Sequence, residues 1–168
     1  MTFDRHEVIR PARECGRLAA LGTRHRFEEG DFFEQVPKGG DVYLLNDVTG
    51  NCSDEQYLVL LQNIRAATQS GGRLLVIERV PDDHPVDGDP IDYLIDLHFM
   101  LSNPDASLRS VSEHRSLLAP AGWAKVFQPH IVYRDGYPAW SIMGAGGHPG
   151  GQGVSHSVGI ATHNERAR

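Results

Sequence analysis

Asp4 closes the short stretch Thr2-Phe-Asp4, and a carboxylate at the end of a strand can hold both hydroxyls of a ribose through two hydrogen bonds. Glu78 ends a second stretch, Arg73-Leu-Leu-Val-Ile-Glu78, where its carboxylate either serves a site or meets solvent and the neighbouring Arg79. His98 carries an imidazole that can take a phenol proton near neutral pH, or it is a helix residue covering a sheet. Asp47 and Asp54 are further proton acceptors close to one another in sequence. Cys15 and Cys52 lie far apart without metal-ligand spacing, so neither a disulfide framework nor a zinc site is readable. The spacing of His148, His156 and His163 fixes no coordination geometry, and no metal is expected.

These residues need elements to hold them. Asp41-Val-Tyr-Leu-Leu-Asn46 and Arg73 to Glu78 have the continuous apolar character of strands buried on both faces, and each follows a Gly-Gly pair. Between them Ser53-Asp-Glu-Gln56 is a capping box opening a helix to about Gln69, with Tyr57, Leu60, Leu61 and Ile64 on one face. Strand, helix, strand predicts a βαβ unit in an α/β fold with a parallel sheet. The Pro- and Asp-rich run 81–90 is a loop, and Pro90 restarts a helix on which Ile91, Leu94, Ile95 and His98 share a face. Ser110-Val-Ser-Glu113 is a second capping box, with Gly122 placed to end its helix. Trp123 to Tyr133 and Tyr137 to Met143 are expected as an antiparallel hairpin turning at Arg134-Asp-Gly136. Residues 1–145 form the expected domain; 146–168, rich in glycine and histidine without aliphatic periodicity, are expected to be a disordered tail.

A net charge of −6 argues against a nucleic-acid backbone or an anionic membrane as partner and leaves a small molecule as the compatible one. Met1 to Arg10 is charged with no apolar run after it, so no signal peptide is read and a cytoplasmic location is expected.

The order Gly30-Asp-Phe-Phe33, Asp41-Val-Tyr-Leu-Leu45, Asp54-Glu-Gln56, Gly71-Gly-Arg-Leu-Leu-Val-Ile-Glu78 and Ala121-Gly-Trp123 resembles that of plant-type O-methyltransferases, the caffeate and hydroxyindole kind. The resemblance runs over roughly residues 1 to 145. It implies a Rossmann-like class I sheet, S-adenosylmethionine as cofactor and a small aromatic or polyketide-like hydroxyl as substrate. It also implies cofactor contacts from Asp4, Asp31, Phe32 and Asn46, with Asp31 near the adenine amino group and Phe32 on the adenine face. Asp31 is otherwise a turn residue after Gly30, and Phe32 ordinary core. Glu78 matches a carboxylate that orients the general base.

The departures from the family pattern matter as much. The family's sheet order is 3-2-1-4-5-7-6, yet no glycine-rich segment precedes Asp4, so the first strand and its cofactor loop are not evident. That absence would leave a gap in the middle of the sheet, to be closed by its neighbours, filled by a complementing chain, or left loose. The helical domain that precedes the catalytic one in the family is not seen either. Where the family places its base histidine this chain has Gly50, and a second supporting carboxylate falls on Leu108. Three readings follow: an O-methyltransferase acting alone, as a homo-oligomer or with a complementing chain; a non-catalytic remnant or pseudoenzyme that binds a ligand or partner; or a related fold using the bound cofactor as a scaffold for other chemistry. For the chain by itself, weak or absent cofactor binding is expected.

Overall fold

The computed structural model describes residues 1–83, 90–123, 125–126, 130–134, 137–146 and 157–161. Strand β1 (Thr2–Asp4) leads into helix α1 (His6–Glu14), a 3-10 segment (Ala19–Arg24) and β2 (Phe27–Glu29). Then come β3 (Val42–Asn46), a 3-10 turn (Thr49–Asn51), α2 (Asp54–Ala67), β4 (Arg73–Glu78), α3 (Pro90–Ser102) and α4 (Val111–Leu118). The described remainder is β5 (Lys125–Val126), β6 (His130–Arg134), β7 (Tyr137–Gly146) and β8 (Ser157–Ala161).

Both capping boxes form. The Ser53 and Ser110 side chains each accept the amide three residues on, while Gln56 and Glu113 reach back to the cap amides. The βαβ unit is there as well: β3 and β4 are parallel neighbours, in register from Val42 opposite Arg73 to Asn46 opposite Ile77. Tyr43, Leu45, Leu74 and Val76 of these strands pack with Tyr57, Leu60, Leu61 and Ile64 of α2 and with Trp123 in one core. The buried Tyr43 hydroxyl lies 2.8 Å from the Pro37 carbonyl and 3.0 Å from that of Ala67, and the Trp123 indole donates to the Leu61 carbonyl at 3.2 Å, so both polar tips are satisfied.

The sheet has eight strands in the order β2-β1-β8-β3-β4-β7-β5, with β6 also on β7. Its centre overturns two expectations. No gap exists between β1 and β3: β8, from the segment expected to be disordered, fills it in parallel with both, Thr2 opposite Gly159 on one side and Val42 to Asn46 opposite Ser157 to Ala161 on the other. Two unpaired strand edges facing each other form a continuous row of donors and acceptors, and a short glycine-containing segment is enough to satisfy them. The remaining tail residues, 147–156 and 162–168, lie outside the described residues.

The expected single hairpin is replaced by a three-strand arrangement. Its first arm divides into β5 and β6, which pair antiparallel with different stretches of β7, while the other edge of β7 runs antiparallel to β4. The turn residues Asp135 and Gly136 lie outside the described residues. Helix α3 is also turned differently from its expected phase. Ile91, Leu94 and His98 are exposed, whereas Asp92 is buried on Arg79 and the Asp96 carboxylate accepts the Leu108 amide at 2.7 Å. Two paired carboxylates thus point inward, and Tyr93, Leu94, Leu97, Met100 and Leu101 stand out as an apolar stripe.

Candidate cofactor edge and base position

All five parallel strands end on one side, so Asp4, Asn46 and Glu78 come to a common carboxyl edge, where open α/β sheets bind their ligands. Asp4 is wholly buried there. Its Oδ1 accepts the Arg5 amide at 2.8 Å, and its Oδ2 has no partner among the described residues. Burial pushes this carboxyl up to about 6 against the opposing effects of the Arg5 amide and charge.

Beside it, Gly30 permits a close approach: a Cβ there would stand 2.8 Å from the Phe3 ring. Asp31 behaves as a turn residue, its Oδ1 accepting the Phe33 amide at 2.7 Å and its carbonyl the amides of Glu34 and Gln35. Asn63 of α2 ties this turn down by donating to the carbonyls of Phe32 and Phe33. Phe32 is 4% exposed and edge-on to Phe33. Asn46 donates to the Asp47 carboxylate at 3.3 Å. Asp47 has a φ of 55°, a left-handed conformation, and burial raises its carboxyl to about 6.

Glu78 neither meets solvent nor pairs with Arg79. Its buried carboxylate accepts the Thr49 amide, the Thr49 hydroxyl and, at 3.4 Å, the Gly50 amide. Burial raises its pKa, and these three donors pull against that rise. From the opposite side Arg109, 3% exposed, donates to the Thr49 and Cys52 carbonyls at 2.7 Å each and to Asp54 at 2.8 Å, with its guanidinium 5.3 Å from the Tyr57 ring centre. The turn from Thr49 to Cys52 is therefore clamped by the Glu78 carboxyl on its amides and the Arg109 guanidinium on its carbonyls. Sequence reading missed Arg109; its only local signal is its place just before the Ser110 cap. It also missed His114, wholly buried, bonded through Nδ1 to the Tyr57 hydroxyl at 3.0 Å and held neutral, down at about 3, first by burial and then by the Arg109 charge.

At Gly50 the structure shows what stands where a base side chain would project. An added Cβ would lie 3.6 Å from the Phe99 ring and 3.9 Å from Leu108, so apolar groups wall the position. Helix α3 presents Phe99 to it, not the exposed His98. No group of metal-ligating side chains is found among the described residues, and none of the described helices is long and apolar enough to cross a membrane.

Residues 1–124 match the model of the O-methyltransferase domain family. The chain is 40% identical over 124 residues to O-demethylpuromycin-O-methyltransferase of Streptomyces alboniger, covering 73% of this chain and 33% of that protein. It is 38% identical over 125 residues to aclacinomycin 10-hydroxylase RdmB of Streptomyces purpurascens, covering 70% and 32%. Among solved structures it resembles human N-acetylserotonin methyltransferase in complex with S-adenosylmethionine, with a TM-score of 0.70 at 25% identity over 88% of this chain and 40% of that one. The chain thus spans about a third of the length of the curated relatives it matches.

Proposed function

Because this chain belongs to the O-methyltransferase family, whose members use S-adenosylmethionine, we propose that it binds this cofactor at the carboxyl edge of its sheet and serves methyl transfer to a small aromatic or polyketide-like hydroxyl. The observation that carries the binding half is Asp4: wholly buried, at the end of β1, with Oδ2 open for a ribose hydroxyl. Asn46, across the end of β8, supplies a second polar group. When bound, the cofactor supplies an electrophilic methyl on a sulfonium. Everything else falls to the residues around Gly50. With Phe99 and Leu108 against Gly50, none of the described side chains at that position takes the substrate's proton, so the chain's part is to hold the acceptor in an apolar, water-poor place. An acidic hydroxyl that ionises by itself suits such a site. Calorimetry with S-adenosylhomocysteine tests the binding half: Asp4→Ala should weaken it by about 1–3 kcal/mol, the cost of lost buried hydrogen bonds. An affinity unchanged by the substitution removes Asp4 from the site.

A second reading has its own support. The same apolar wall suits a site that does not deprotonate a methyl acceptor, and one relative at 38% identity is named a hydroxylase rather than a methyltransferase. Use of the cofactor as a scaffold, or loss of catalysis, would leave Asp4 binding intact and yield no methylated product. The apolar stripe on α3 is the surface we assign to a second copy or a complementing chain, since five large side chains in water on one helix face are otherwise unfavourable.

A further inference from the structure

β8 is the sole described element that joins β2 and β1 to the rest of the sheet. Remove it, and a pair of three-residue strands is separated from β3, β4 and β7, with the inner edges of β1 and β3 both unpaired. It also sets the spacing of the ligand edge. With one strand between them, Asp4 and Asn46 stand two strand widths apart, about 10 Å, roughly the reach of a nucleoside.

This strand is the last of the described elements. Gly146, Arg73, Val42 and Ser157 lie on one line of paired residues at the amino edge of the sheet, so the chain must cross about 14 Å from β7 to β8. Ten residues, 147–156, are available, four of them glycine, and such a length can span roughly 35 Å. The sequence between the two strands is thus more than twice as long as the crossing requires. The strand Ser-Val-Gly-Ile-Ala has only five residues with glycine at its centre, a composition that holds a ladder weakly.

We infer that Ser157–Ala161 is a displaceable central strand, and that its insertion between β1 and β3 assembles the ligand edge and is in turn stabilised by a ligand bound there. Only the ligand arm rests on the proposed function. The chain's own tail is the occupant of the slot.

Hydrogen exchange on the full chain tests it. Without ligand, Gly159→Pro, which removes an amide from the ladder, should let β1 and β2 exchange as fast as free chain while β3 and β4 stay protected. Unchanged protection of β1 and β2 overturns the inference. If that variant does not fold, Leu44→Cys with Gly159→Cys, in a Cys15→Ser background, decides: these two positions are paired across β3 and β8, and mild oxidation should join them within one chain. A pair that stays reduced, or that links two chains, overturns it. S-adenosylhomocysteine at about a hundred times its dissociation constant should slow exchange of the β8 amides about 100-fold. Binding seen by calorimetry without slower β8 exchange overturns the linkage. No binding, with β8 protected and joined to β3, overturns the cofactor reading while upholding the strand assignment.

Discussion

Among the described residues at the ligand edge, Asp4→Asn removes the one group that is both wholly buried and left with an unpartnered oxygen, and the wild-type carboxyl carries its own pH signature. Its pKa is raised to about 6, chiefly by burial. A ribose diol donates to the ionised form, so that form is the one that binds. At pH 5 only about a tenth of such a carboxyl is ionised, and at pH 7 about nine tenths. Affinity for S-adenosylhomocysteine should therefore rise about tenfold from pH 5 to pH 7, equivalent to ~1.4 kcal/mol, and level off above. The sign follows from linkage: protons leave the free protein's Asp4 on binding, so lower pH opposes binding. Asp47 also titrates at about 6 near the same edge and remains in the variant, so the difference between the wild-type and Asp4→Asn profiles isolates Asp4. Calorimetry at half-unit steps of pH provides both curves. Parallel profiles, with the variant as pH-dependent as the wild type, would refute the assignment.

Arg109→Met should destabilise the chain by about 2–4 kcal/mol, because the Thr49 and Cys52 carbonyls lose their donor; urea unfolding measures it, and a loss below half a kcal/mol would show that the clamp is unimportant. Gly50→Ala should be nearly neutral, since its Cβ meets Phe99 at ordinary contact distance, whereas Gly50→His should cost about 1–3 kcal/mol by overpacking, relieved by Phe99→Ala. A double-mutant cycle on melting free energies reads that coupling; a coupling of zero would mean Phe99 does not occupy the base position. Leu97→Glu with Leu101→Glu, both exposed, should leave folding unchanged and reduce self-association in sedimentation; a wild-type chain that is monomeric at all concentrations counts against an interface between copies.

The βαβ unit and both capping boxes were legible because their signals are local: continuous apolar runs, helical spacing, and a serine three residues ahead of a Gln or Glu. β8 was not, since nothing in Ser-Val-Gly-Ile-Ala itself favours a strand strongly; the two ladders waiting on β1 and β3 make it one, a tertiary effect overriding propensity. The phase of α3 was misread for a related reason. Its inward carboxylates, Asp92 and Asp96, are satisfied by Arg79 and the Leu108 amide, partners from other parts of the chain, and the apolar residues that periodicity would bury are left outside. That shift brings Phe99 rather than His98 to Gly50. That Asp4 stands at the carboxyl edge was readable from its place at a strand end. Arg109 was not, because its partners are backbone carbonyls about sixty residues away.

Methyl transfer without a base from the protein is tested by incubating the 168-residue chain with methyl-labelled S-adenosylmethionine and hydroxyl acceptors of graded acidity. Labelled ether should form only with acidic phenols, at a rate that rises with pH up to the acceptor's own pKa. Fast labelling of a poorly acidic alcohol, with a midpoint near pH 6.5 that His98→Ala abolishes, would contradict the account by showing that a histidine base operates after all, and no labelling of any acceptor would contradict catalysis by this chain.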